Sequence, residues 1–309
     1  MGLAGTIKSS ADLQQWSSRT SGTSGTSGTV NTIFDMVSIG DRVIAVGENG
    51  ETLTSLDGLS WASHNSGITA NLFAVTWTGS QLVAVGGELT GTKNGVIVTS
   101  TDGISWTNQT PTNSFGSIMD ITWTGSQLVA VGAKGLILTS PNGVDWTSRN
   151  SATRKDLWTV SSNSDHIVAA GDNGTVLTSP DSNNWTSTQE LDENIDLRGI
   201  TWTDSSFILV GGTFGRSGLD ENSSMAFAST DGTNWAPIDP GINDIMQDVA
   251  WTGSQLLAVA INSSLLTSTD NARWTEIPTI SSNGLYCVIE HQGTTLIGGG
   301  NGTILYREN

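Results

Sequence analysis

Basic residues are scarce: 12 Lys and Arg stand against 29 Asp and Glu in 309 residues, a formal net charge of −17. Nucleic-acid binding needs a basic footprint that displaces counterions, and none is present. An anionic membrane surface is disfavoured for the same reason. A cationic ligand, Ca²⁺, a neutral glycan or a basic protein is compatible with the charge. Cysteine is almost absent. The single Cys287 excludes a disulfide framework and a cysteine-built zinc site, and within "LYCVIE" it reads as a small core residue. No apolar run approaches the roughly 18 residues of a membrane helix, so no membrane insertion is expected. The first residues lack the charged and apolar regions of a secretion signal. His64, His166 and His291 show no metal-ligand spacing. No phosphate-binding loop, dinucleotide fingerprint, "GxSxG" or Ser-His-Asp order is found. Helical 3.6-residue periodicity is missing throughout.

What is present is repetition. The octapeptide "TSTDGISW" (99–106) recurs as "TSLDGLSW" (54–61), "TSPNGVDW" (139–146), "TSPDSNNW" (178–185) and "TSTDNARW" (267–274). A shorter "STDGTNW" lies at 229–235 and a weaker "SSADLQQW" at 9–16. Between them run short β-rich segments such as "LFAVTWTG", "SQLVAVGG" and "NGVIVTS". "TWTGSQLVAVG" stands at both 76–86 and 122–132. Four short strands, A to D, per unit of about 40 residues predict the blade of a β-propeller. Trp16, Trp61, Trp106, Trp146, Trp185, Trp235 and Trp274 count the D strands. The A–B pair also occurs seven times: 33–47, 72–86, 118–132, 157–171, 197–211, 246–260 and 285–300. The predicted fold is all-β: one seven-bladed propeller of four-stranded antiparallel blades spanning 1–309, with 18–31 a Gly/Ser/Thr connector.

The octapeptide is the expected C–D turn. Its Asp or Asn and its hydroxyls bond nearby backbone N–H groups, and its Trp packs between blades. The pattern "S-x-D-x-x-x-W" is similar to the Asp-box of sialidases and other Asp-box propellers, one residue shorter than "S-x-D-x-G-x-T-W". The A-B-C pattern, clearest in "AGDNGTVLTSPD" (170–181), resembles photosystem II stability/assembly-factor propellers. That resemblance implies architecture and a protein-binding scaffold. Those relatives are linked with a basic patch, which this chain lacks, so their particular partner does not carry over. A sialidase needs three arginines, and only Arg198 starts a strand A, while Arg42, Arg149, Arg154 and Arg273 fall in turns or connections.

Both termini enter the last blade. "GTIKSS" (5–10) and "LQQWSS" (13–18) match strands C and D, while the C-terminal segments match A, B and C. Two segments, 5–10 and 302–307, therefore compete for one strand C position. The C-terminal copy follows a tight turn and is expected to win at little loop entropy, leaving 1–8 displaced or on an edge. A monomer is expected, with a strand-exchanged polymer as the alternative.

Function is expected where the repeats disagree. The residue just inside strand A is Phe34, Phe73, Met119, Trp158, Arg198, Gln247 and Tyr286 (or Cys287) in successive blades. These are the candidate ligand contacts, on the face that carries the D–A and B–C loops. Most B–C turns are minimal, but 86–95 and 211–224 are insertions that add Glu88 and Arg216. Asp192, Glu193, Asp220 and Glu221, with Glu190 and Asp196, gather acidic oxygens that would hold Ca²⁺. No other cofactor is expected. Asp35, Asp120 and Asp248 share a position early in strand A and are the candidate carboxylates of a glycoside hydrolase or lyase. The leading expectation is a non-catalytic, extracellular or cell-surface module that binds a glycan or a protein. A carbohydrate-active enzyme and a structural or adhesive module are the alternatives.

Overall fold

The computed structural model describes residues 7–10, 16–19, 29–88, 95–112, 115–188, 191–213, 223–277 and 281–308. Each copy of "Q-L-V-A-V-G" becomes a strand B whose residues are nearly all buried, as in Leu128–Gly132. Period-2 alternation is missing there because a blade packs on a neighbour through each face. Strand A of blades 1 to 7 is Ile33–Ile39, Asn71–Trp77, Ile118–Trp123, Leu157–Ser162, Ile195–Trp202, Met246–Trp251 and Leu285–His291. Blades 1 to 6 are four-stranded antiparallel sheets in the order A-B-C-D. Their D strands are two to four residues long, such as Thr107–Asn108, which keeps the outer edges unattractive to other chains. The chain is a seven-bladed β-propeller, as the sequence predicts.

The recurrent octapeptide holds the C–D turn by local bonds. In blade 1, Asp57 Oδ1 accepts from the N–H of Leu59 (2.8 Å) and Ser60 (2.7 Å), Ser55 Oγ accepts from Gly58 N (2.8 Å), and Trp61 Nε1 donates to the Gly58 carbonyl (3.0 Å). Asp102 and Asn142 repeat the pattern in the next two blades. Gly58 adopts φ +68°, open to an L side chain only with strain. Removing the acceptor in Asp102→Ala should cost about 1 kcal/mol, because the turn is exposed and water replaces part of the cap. Thermal melting checks this; an unchanged midpoint would mean that the serine and the indole hold the turn alone.

Six of the turn tryptophans reach the preceding blade. Trp61 packs with Leu296, Ile304 and Tyr306 of blade 7, and Trp235 with Val168 and Val176 of blade 4. Trp146, Trp185, Trp274 and Trp106 do the same at the seams 2–3, 3–4, 5–6 and 1–2. The described core is thus seven apolar seams, one between each pair of neighbouring blades.

The closing blade corrects one expectation. Ile304–Glu308 takes the strand C position beside Thr294–Gly299, as the loop argument requires. The competing segment is neither displaced nor on the edge. Ile7–Ser10 pairs parallel with Ile304–Arg307 and antiparallel with Trp16–Arg19, giving a five-stranded blade. A parallel neighbour satisfies the backbone of both copies, so the sheet accepts the two rather than choosing. These strands pair within the chain. Residues 1–6 lie outside the described residues.

Candidate functional site

All seven strand A segments carry the same irregularity. Pairing with strand B shifts register between Ile33 and Asp35, Leu72 and Ala74, Ile118 and Asp120, Leu157 and Thr159, Leu197 and Gly199, Met246 and Asp248, and Leu285 and Cys287. The skipped residue is Phe34, Phe73, Met119, Trp158, Arg198, Gln247 or Tyr286. A β-bulge leaves its extra residue outside the ladder and re-aims its side chain. The seven bulged residues, one per blade, line a single cavity of about 360 Å³ with Asp35, Asp120 and Asp248. In blade 7 Tyr286 is the bulged residue, and Cys287, the next one, also lines the cavity; it is buried, and burial pushes its thiol up.

The ring has two characters. Phe34 meets Phe73 edge to face at 5.3 Å and Tyr286 at 5.9 Å, so blades 7, 1 and 2 form one aromatic arc. Across the mouth, the Arg198 guanidinium lies 4.0 Å from the ring centre of Trp158, with Nη2 3.5 Å from Asp196 Oδ2. Trp158 Nε1 donates to Asp172 Oδ1 at 2.5 Å. Burial lowers the Arg198 pKa, and the charges of Asp196 and Asp172 oppose that fall.

The residue after each bulge varies as well, and in blades 1, 3 and 6 it is aspartate. Each of these aspartates joins its blade to the next. Asp35 Oδ1 accepts from Met36 N (2.7 Å) and Oδ2 from Val75 N (2.8 Å). Asp120 accepts from Ile121 N (2.7 Å), Val160 N (2.7 Å) and Thr159 Oγ1 (3.2 Å). Asp248 accepts from Val249 N (2.8 Å) and Val288 N (2.9 Å). Protein surrounds all three, although each keeps some surface towards the cavity. Burial pushes Asp120 up to about 7 and Asp248 up to about 6, and Asp35 well above the ordinary carboxylate range. Blade 5 has Gly199 here, where a Cβ would stand 2.8 Å from the Asp248 Cα.

The remaining candidates separate from this site. Glu88 is exposed beyond strand B of blade 2, and its carbonyl accepts from Ser117 Oγ at 2.5 Å. Asp192 is exposed and accepts from Asn194 N and Nδ2. The Glu193 carbonyl accepts from Asn173 Nδ2. Arg216, Asp220, Glu221 and Glu190 lie outside the described residues, as do most of both insertions. Among the described residues, no three His, Cys, Asp or Glu side chains are placed to hold a metal ion. Among the same residues, no helix is long and apolar enough to cross a membrane. Sequence reading missed the bulges, since Phe, Met, Trp, Arg, Gln and Tyr share no bulge-forming chemistry. A signal for the interblade bonds existed: each aspartate meets a backbone N–H 40 residues later.

The sequence matches no protein family and no curated protein. Solved structures share its shape. YCF48 bound to D1 peptide is 18% identical with a TM-score of 0.70, over 91% of this chain and 93% of that one. A catalytically inactive virginiamycin B lyase from Staphylococcus aureus with quinupristin is 11% identical with a TM-score of 0.76, over 91% and 96%. The WD40 propeller domain of Doa1 is 12% identical with a TM-score of 0.68, over 90% and 93%. At such identities the likeness is one of fold.

Proposed function

We propose that this seven-bladed ring is a non-catalytic scaffold that receives a short segment of a protein partner at its channel mouth. The carrying observation is the set of seven bulged residues, one from each blade, mixed in chemistry and gathered on one cavity. A structural position in a repeat favours sameness, and the D-strand tryptophans show it; these positions differ. A cavity of about 360 Å³ is at the small end of ligand pockets and suits one or two side chains rather than a long oligosaccharide. YCF48, a propeller of the same shape, is solved with a peptide, which supports a peptide ligand here.

The test is display of randomised decapeptides against the whole chain, with a glycan array beside it. Peptides enriched on the wild-type chain should bind a Phe34→Ala, Phe73→Ala double variant at least tenfold more weakly, its melting confirming that the ring is intact. Undiminished binding would remove the mouth from the reading, and glycan binding without peptide binding would make the ligand a carbohydrate. One observation favours a second reading. A carboxyl whose pKa is raised towards neutrality is what a general acid requires, and burial raises Asp120 to about 7 and Asp248 to about 6. Their oxygens, however, already accept backbone N–H bonds from their own and the next blade, a structural use of the same carboxylates. Polysaccharide cleavage that disappears in Asp120→Asn would establish the enzyme.

A further inference from the structure

Three carboxylates line the same cavity as the aromatic arc, and among the described residues none has a cation bonded to it. Among the described residues, Asp35, Asp120 and Asp248 accept only backbone N–H groups and the Thr159 hydroxyl. They repel one another: Asp35 feels the charges of Asp120 and Asp248, and Asp120 feels Asp248. Arg198, a cation that lines the same cavity, is engaged with other groups, 3.5 Å from Asp196 and over the ring of Trp158 at 4.0 Å, with the charges of Asp172 and Asp156 also acting on it. The site therefore gathers three carboxyl groups in a poorly solvated place with no cation bonded to them, so that their ionisation is costly until a cation arrives.

Cavity shape decides which cation. The three carboxylates are not placed to share one metal ion. An organic cation on an aliphatic stem meets both halves of the site. Its stem packs on the aromatic arc, whose ring faces carry negative quadrupole charge. Its N–H groups find acceptors, since Asp35 and Asp248 each accept two bonds where a carboxylate has about four lone-pair positions. The excess of 29 acidic over 12 basic residues adds a long-range field of the same sign.

Resting on the reading that this mouth receives a protein segment, we infer that the group it receives is a cationic side chain, the ammonium of a lysine or the guanidinium of an arginine. The charge sits among Asp35, Asp120 and Asp248, and the stem lies against Phe34, Phe73 and Tyr286. The partner surface is accordingly basic.

The experiment takes decapeptides enriched by display on the whole chain and resynthesises them with each Lys or Arg replaced by norleucine, which keeps a stem and drops the charge. One replacement in each peptide should raise Kd at least tenfold. Exchanging Lys and Arg at that place tells which head group is preferred. Asp248→Asn should weaken the cationic peptide at least fivefold and its norleucine version less than twofold, a coupling that a folding defect does not produce. Raising NaCl from 50 to 500 mM, which needs no variant, should weaken the cationic peptide and spare the neutral one. Peptides that need Phe34 and Phe73 but tolerate norleucine everywhere would overturn the charge assignment and leave the mouth as a peptide site. Failure of any peptide to depend on Phe34 and Phe73 would end both readings.

Discussion

Trp61→Ala is expected to lower the unfolding free energy by about 3–5 kcal/mol, the usual loss for a large buried aromatic side chain. Trp61 is 2% exposed, and its indole N–H donates to Gly58 within its own turn. Its ring fills the seam where blade 1 meets blade 7, among Leu296, Ile304 and Tyr306. That seam closes the ring, so a cavity there loosens the contact between the two ends of the chain's path. For a domain of this size the loss corresponds to roughly 5–10 °C in Tm. Trp106 occupies the same place in its turn but is only partly buried, so Trp106→Ala should cost visibly less. Thermal melting of both variants tests the claim. Equal losses, or a smaller one at Trp61, would mean that the turn and not the seam makes the tryptophan necessary.

Stability should pass through a maximum near pH 4–5, because two sets of aspartates pull in opposite directions. In the channel, Asp120 and Asp248 hold their protons more tightly in the folded chain than in the unfolded one. Such groups favour folding fully below the ordinary value of 3.8, and the contribution disappears as pH rises through about 6 and 7. At about 1.4 kcal/mol per tenfold change in proton affinity, Asp120 alone contributes an effect of about 4 kcal/mol at most. In the C–D turns the signs reverse. Asp57, Asp102, Asp181, Asp231 and Asp270 have lowered values, and backbone N–H groups donating to the carboxylate are the main lowering cause. Asp181 falls to about 2. Their contribution is present above the ordinary value and disappears as pH falls through the lowered one. Tm should therefore decline from pH 5 to pH 8 and decline again below pH 3. Asp120→Asn, which cannot ionise, should flatten the alkaline side of the curve. A Tm that rises from pH 5 to pH 8 would refute the burial account of the channel carboxylates.

The blades were legible because turn chemistry ties residue type to spacing. Ser55, Asp57, Gly58 and Trp61 each perform a stereochemical task at a fixed offset, so their copies can be counted. The ring of cavity-lining residues was legible for the opposite reason: aligned strands disagreed at one column, where Phe34 stands against Arg198 and Gln247. The bulge that places this column in the channel was not legible, since it depends on how strand A pairs with strand B and not on which side chain is skipped. The fifth strand of the closing blade stayed hidden for a related reason. The pattern in 5–10 and in 302–307 says that each fits beside a strand, and only the sheet decides whether both are admitted. The three aspartates illustrate a mixed case. Their shared position was readable and suggested acid–base chemistry, whereas their bonds to Val75, Val160 and Val288 show them holding neighbouring blades together.

The bulges separate what the ring needs from what the mouth presents. A skipped residue makes no ladder bond, and none of the seven belongs to a seam, so exchanging one alters the mouth without asking the disc to refold. Related sequences could in that way share one chassis while diverging freely in taste, each new specificity costing a handful of codon changes.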